Sequence, residues 1–305
     1  MAFIRAFGSY VPARVVANAE LAERLGCDAE WILNVSGISE RRYAGDAESV
    51  ADMGVRAAQD CLSRASGGQI GMVIVSSGSS ERRFPGPAAE IAAKLGLAGV
   101  PAIDLPMASA GSLFGLAMAG HFAGSFGPVL LVAAEKMSAT VSLDKNTAIL
   151  FGDGAGACLV DPNEGAAELV QWCLHSDGNF TDALRLDFGQ DLNMDGGTVI
   201  MHAARKVPAV IRELLDRTRQ SAPAIGTFLM HQANQNLIVK IARTLEVAPE
   251  KFFSNIGRYG NTSSASMLIA AAEWSAQSGF RRGEPVVFAG FGAGFHWGSL
   301  LAIGS

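Results

Sequence analysis

A chain of 305 residues, 49% apolar and only 17% charged, can bury a large core and is not disordered. Its 24 Lys and Arg against 29 Asp and Glu leave a formal charge of −5, and with no basic run this argues against nucleic acid as a partner. The four cysteines (Cys27, Cys61, Cys158, Cys173) show neither CxxC pairing nor a disulfide-framework spacing, no apolar run reaches about 18 residues, and no secretory leader is apparent, so a cytoplasmic protein that does not span a membrane is expected.

In chain order, the N-terminus reads as a strand, Met72 to Val75 as a second, and Pro87 to Leu95 as a helix. Ala102 to Leu105 is a short strand, followed by a helix over Gly111 to Gly124 and strands over Val129 to Ala134 and Gly154 to Val160. The pattern breaks at Asp161-Pro162-Asn163-Glu164-Gly165 and then resumes. Glu168 to Leu174 reads as a strand, Val207 to Arg219 as a helix, Thr227 to Met230 as a strand and Gln235 to Leu245 as a helix. Ala265 to Gln277 is a helix, and Pro285 to Ala289 with Trp297 to Ile303 are closing strands. This alternation predicts an α/β chain with a buried central sheet, in two similar halves, 1–163 and 164–305, with a site between them.

Three stretches carry chemistry. Ser109 lies where a buried strand turns into a helix, and unpaired amides at a helix start stabilise developing negative charge. Taken alone, Ser109 reads better as the helix N-cap than as a nucleophile. His231 ends an apolar strand, where α/β sites tend to form; a lone histidine there is more often structural, and the flanking Gln232 and Asn234, placed to orient it, bring the catalytic reading level with that one. Asn261 opens a loop of small polar residues, where Asn is ordinarily a turn or cap residue; its functional reading is a carboxamide donor beside His231. Gly290 to Gly294 lacks the Lys-Ser/Thr pair of a phosphate loop and reads as a tight turn aiming a backbone amide into a site. Gly152-Asp153-Gly154-Ala155-Gly156 reads as a strand-entry turn, and no cluster has metal-ligand spacing.

The ordered set resembles the ketoacyl synthase III family of the thiolase superfamily. The likeness runs from Gly8-Ser9-Tyr10-Val11-Pro12 through Trp31-Ile32, Glu40-Arg41-Arg42, Phe84-Pro85, Glu135-Lys136-Met137 and Leu150 to Gly156. It continues through His231-Gln232-Ala233-Asn234, Gly260-Asn261-Thr262-Ser263 and Trp297-Gly298-Ser299. It implies a five-layered αβαβα fold in two pseudo-symmetric halves, usually a homodimer. It also implies acyl transfer from acyl-coenzyme A to a nucleophile at position 109, then decarboxylative condensation with a malonyl thioester on coenzyme A or acyl carrier protein. The thioesters enter as substrates, with no resident cofactor.

By the same resemblance, His231 and Asn261 hold the malonyl thioester carbonyl as its enolate forms, Ala293 supplies an oxyanion amide together with that of Ser109, and Phe291 shields the carboxylate. Trp31 stacks on adenine, Phe84 reaches the partner subunit's acyl pocket, and Asn234 belongs to the substrate-binding set.

Five departures stand out: Ser109 replaces the family cysteine, Val35 an arginine that meets coenzyme A, Lys145 another common arginine, and Asn236 and Pro208 replace bases. An alcohol forms essentially no alkoxide at neutral pH, so Ser109 is expected either to use His231 as a general base or not to be acylated at all. Three readings follow besides condensation through serine in specialised metabolism: a cysteine replaced by engineering, a Ser-dependent transacylase without condensation, and a non-catalytic partner of an active homologue.

Overall fold

The computed structural model describes residues 1–65 and 67–305. Its strands are β1 Phe3–Tyr10, β2 Arg14–Ala17, β3 Glu40–Tyr43, β4 Met72–Ser76, β5 Ala102–Leu105, β6 Val129–Lys136 and β7 Asp153–Asp161. They continue as β8 Ala167–Ser176, β9 Leu184–Arg185, β10 Asn193–Met194, β11 Thr227–Met230, β12 Phe252–Phe253, β13 Pro285–Gly292 and β14 His296–Gly304.

Two five-stranded arrays share one order and one sense. The first runs β5-β4-β6-β7-β1 and the second β12-β11-β13-β14-β8, and a short antiparallel pairing of β1 with β8 joins them. In each array the first three strands are parallel and the last two join antiparallel. Every residue of β4 and β7 is buried, which is why these strands read as continuous apolar runs rather than alternating ones.

Helices complete five layers. Val50–Arg64 and Pro87–Lys94 cover the outer face of the first array, and Gly196–Thr218, with Gln235–Thr244 packed on it, covers that of the second. Between the arrays lie Gly111–Phe126 and Ser266–Gln277, each touching strands of both. The central core includes Leu113, Leu116, Leu131, Leu268 and Phe288. These two helices have almost no polar face because both sides are buried, so their sequences are apolar and small all round.

Several expectations change. The Gly154 and Gly156 pair is not a turn: both lie inside β7, beneath the Ser266–Gln277 helix. A Cβ on Gly156 would stand 2.5 Å from Leu268 Cβ and 2.9 Å from the Ile269 backbone nitrogen, so only glycine lets this helix seat. The helix expected from Val207 begins at Gly196, with Asp195 accepting from the Thr198 amide and Pro208 inside it. Proline there forfeits one intrahelical bond, and packing of the buried face outweighs that loss.

The segment between β2 and β3 folds into two helices, Asn18–Leu25 and Ala29–Ser36, that the sequence reading passed over. Gly26 and Gly37 end them in left-handed conformation, and Asp28 caps the second by accepting from the Trp31 amide at 2.8 Å. Among the described residues, no helix is long and apolar enough to cross a membrane.

Candidate active site

Ser109 follows β5 on a sharp turn. The Ala110 amide bonds the Ala108 carbonyl at 2.7 Å, closing a three-residue turn around a serine held at φ 60°. A non-glycine residue there stores about 1–3 kcal/mol of backbone strain, which persists only where surrounding contacts impose it. Two contacts do so. Gly292 presses on the turn from β13: a Cβ there would lie 2.3 Å from the Ala108 carbonyl oxygen and 3.0 Å from Ser109 Cβ. Ser263, itself at φ 48°, accepts from the Ser109 amide at 3.0 Å through its hydroxyl.

Ser109 is therefore not the cap of the Gly111–Phe126 helix. Ala110 holds the cap position, and no side chain caps it. The Ser109 hydroxyl is left facing the cleft, with Ser263 Oγ 3.5 Å away as its hydrogen-bond partner among the described residues.

His231 follows β11 and is 2% exposed. Its backbone amide bonds the Ala289 carbonyl of β13, and its Nδ1 lies 2.7 Å from Ser266 Oγ. Gln232 and Asn234 do not orient the ring. The Gln232 carboxamide bonds the Met230 and Phe253 carbonyls and the Asn255 amide. Asn234 lines the cleft but caps the Gln235–Thr244 helix through its oxygen and donates to the Val35 carbonyl at 2.9 Å. That bond, with Asn236 donating to the Asn34 carbonyl at 3.0 Å, ties the Trp31 helix to the cleft wall. Asn236 thus works as a tether where the family commonly has a base.

Asn261 is pinned at both backbone and side chain. Its amide bonds the Leu150 carbonyl, and its carbonyl takes the Gly152 amide. Its Oδ1 accepts from the Ser263 amide at 2.9 Å, which leaves the Nδ2 donors for the cleft. Beneath this loop sits Arg41, fully buried, its guanidinium bonding the Val16 and Ile149 carbonyls and Asn18 Oδ1.

Ser109, His231, Asn261, Phe291, Trp31 and Asn234 all line one cleft of about 520 Å³. The Phe291 ring meets the His231 ring edge-on at 5.2 Å and stacks at 5.9 Å on Phe295, whose backbone pairs doubly with Asp177. Ala293, half-buried, comes one residue after Gly292. Trp31 stands at the mouth with the Lys145 ammonium 5.8 Å from its ring centroid. Phe84 lies outside this cleft and is 84% exposed.

Sequence reasoning missed Ser263 and Ser266. The signal was present in the spacing: four hydroxyl residues over Thr262 to Ser266, at a helix start, exceed what one cap needs.

Burial drives the His231 pKa down to about 3 from an ordinary 6.5, with the Ser263 backbone pulling weakly the other way. The ring is neutral at physiological pH. Between pH 6.5 and about 3 the unfolded chain holds a proton that the folded chain does not, so stability falls as pH drops through 6.5. His202 and His296 are lowered as well, both chiefly by burial, and act in the same sense. Urea midpoints measured from pH 7.5 to 5.5 are expected to register a loss of about 1.4 kcal/mol from His231 alone. His231→Gln is expected to flatten that slope; an unchanged slope would show that the ring titrates normally in the fold.

No thiol substitutes for the serine. Among the described residues no cysteine lines the cleft, and burial pushes Cys61 up to about 12 and Cys158 well above its ordinary value.

Comparison with known proteins gives this geometry its context. The family model for 3-oxoacyl-[acyl-carrier-protein] synthase III matches residues 103–178, and the model for the C-terminal part of that enzyme matches 215–302. A β-ketoacyl-[acyl-carrier-protein] synthase III from Bradyrhizobium diazoefficiens is 35% identical over 96% of each chain. The chain belongs to the β-ketoacyl-[acyl-carrier-protein] synthase III family. Among solved synthase III structures, that from Aquifex aeolicus superposes with a TM-score of 0.95 at 32% identity, covering 99% of this chain and 100% of that one. The priming β-ketosynthase of the R1128 polyketide pathway superposes at 0.92 with 30% identity, covering 100% and 97%. The five layers described above are thus the thiolase fold, and the chain is a synthase III-type condensing enzyme by family.

Proposed function

We propose that this synthase decarboxylates a malonyl thioester at His231 and Asn261 and joins the resulting carbanion to an acyl group carried as an ester on Ser109. The observation that carries the reading is the shared cleft wall. His231 and Asn261 are each held from behind, by Ser266 and by the Ser263 amide, and face the same space as the Ser109 hydroxyl. Two neutral donors on one carbonyl oxygen stabilise the enolate that forms as carbon dioxide leaves.

In the first half-reaction the Ser109 oxygen attacks the thioester carbonyl of acyl-coenzyme A. The carbon–oxygen bond forms, the carbon–sulfur bond breaks, and the hydroxyl proton ends on the departing thiolate. The Ser109 amide donates to Ser263 Oγ, so the Ala293 amide is the oxyanion donor this reading retains. No imidazole is bonded to Ser109 Oγ in the resting site, which makes acylation the slow half-reaction and decarboxylation the faster one.

Trp31 with Lys145 suits the adenine and phosphates of coenzyme A. An outer groove with Arg205, Arg212 and Lys240 adjoins the cleft through Gly197 and Ile200, and offers an acidic carrier protein the positive charge missing at Pro208 and Asn236. The exposed Phe84 fits a homodimer in which it enters the partner's cleft. The departures at Val35, Lys145, Asn236 and Pro208 are the ground for a role in specialised metabolism rather than general fatty-acid initiation.

Intact-protein mass spectrometry after incubation with short acyl-coenzyme A donors tests the first step. A slow adduct is expected, absent from Ser109→Ala. Release of labelled carbon dioxide from a malonyl thioester tests the second and is expected to survive in Ser109→Ala. No adduct with any donor rejects the serine ester, and no carbon dioxide release in either form rejects the whole reading.

A further inference from the structure

We infer that Ser266 is a positioning residue that fixes the tautomer of His231, placing the ring proton on Nε2, and thereby decides which of two chemistries the imidazole performs. The argument starts from the proton count at one oxygen. Ser266 opens the Ser266–Gln277 helix and is 2% exposed. Among the described residues its Oγ has two hydrogen-bond partners: the Gln232 amide nitrogen at 3.0 Å and His231 Nδ1 at 2.7 Å.

An amide N–H only donates, so Ser266 Oγ accepts from Gln232. Were Nδ1 also protonated, both neighbours would donate to Oγ, and the Ser266 hydroxyl proton would be buried with no acceptor. The arrangement that satisfies every group has the hydroxyl donating to an unprotonated Nδ1. The single proton of the neutral ring then sits on Nε2. The low basicity of the buried ring keeps it from taking a second one.

The consequence divides the site's possible reactions. With Nε2 protonated, His231 is a donor beside Asn261 and suits an enolate. It has no lone pair on that nitrogen with which to take the Ser109 proton. The other tautomer would give Nε2 a lone pair and make the ring a general base for serine, at the expense of enolate stabilisation. Ser266, 35 positions from His231 and lining no part of the cleft, selects the first chemistry.

This inference names a determinant of the site proposed above, and its first test does not depend on that reading. Two-bond proton–nitrogen correlation spectra of the wild-type protein, labelled on histidine, read the tautomer directly and need neither substrate nor variant. His231 is expected to show a protonated Nε2 and an unprotonated Nδ1. A protonated Nδ1 overturns the inference.

Ser266→Ala is expected to populate both tautomers and to lower kcat for malonyl-thioester decarboxylation roughly tenfold at unchanged KM, with acylation of Ser109 unchanged or faster. Ser266→Thr, which keeps the hydroxyl, is expected to restore both readouts. A Ser266→Ala protein whose tautomer matches wild type also overturns it. If instead the tautomer shifts and decarboxylation does not, Ser266 is shown to fix the ring while the enolate role of His231 fails.

Discussion

Replacing Ser109 by cysteine is expected to raise the rate of acyl-enzyme formation from acyl-coenzyme A by on the order of 10²-fold or more. A thiol with an ordinary pKa of about 8.5 is roughly a tenth thiolate at pH 7.5, while an alcohol at the same place is essentially un-ionised. Nothing else in the site supplies the difference. The Ser109 hydroxyl contacts Ser263 rather than the imidazole, and a helix start contributes only about 1 kcal/mol toward an anion. The turn itself needs no change: it is imposed by Gly292 and Ser263 through backbone atoms and Cβ, which cysteine shares.

The gain extends to the second half-reaction, because a thioester presents a better leaving group to the carbanion than an oxygen ester. Quenched-flow intact-mass measurements of both proteins with one acyl donor decide the matter. A cysteine form that acylates no faster would mean that this turn does not face an incoming thioester. That outcome would favour the reading of a non-catalytic partner subunit.

The parts of this site that could be read from the sequence share one property: their neighbours in space are neighbours in the chain. His231 is legible because an apolar strand ends at it, and Asn261 because a polar loop and a helix start follow it within five residues. The alternation of strands and helices gave the layers for the same reason.

What escaped notice depends on contacts between distant segments. Local sequence makes Ser109 a helix cap; in the fold Ser263, 154 residues on, accepts from its amide and holds it in a left-handed turn. Gln232 beside His231 suggests an orienting side chain, yet that side chain bonds the Met230 and Phe253 carbonyls and leaves only its backbone amide to act, through Ser266. The two helices around Trp31 were missed because eight residues carry little periodicity, although Gly26, Asp28 and Gly37 mark their ends. Pro208 hid the true start of its helix because a local rule against proline yields to the burial of Val199, Ala203, Val207 and Ile211 on one face.

The sharpest separation between holding the loop and holding the enolate comes from Asn261→Asp, expected to lower malonyl-thioester decarboxylation by about 10²–10³-fold. Asparagine does two things here. Its Oδ1 accepts from the Ser263 amide at 2.9 Å, which fixes Ser263 at φ 48° and through it the Ser109 turn. Its Nδ2 faces the cleft. Alanine would abolish both, leaving the Ser263 amide buried without a partner, and a loss of activity would not say which mattered.

Aspartate keeps the acceptor toward Ser263 and replaces only the donor with an anionic oxygen, directed at the atom on which negative charge develops. The fold is expected to stay, with a thermal midpoint near wild type, while carbon dioxide release falls. Protonating the new carboxyl restores a donor, so the activity of the variant is expected to recover partly as pH drops. An aspartate variant that releases carbon dioxide at the wild-type rate would remove Asn261 from the chemistry. Its role would then be the one its backbone already shows, bridging Leu150 and Gly152 to the loop that sets the serine.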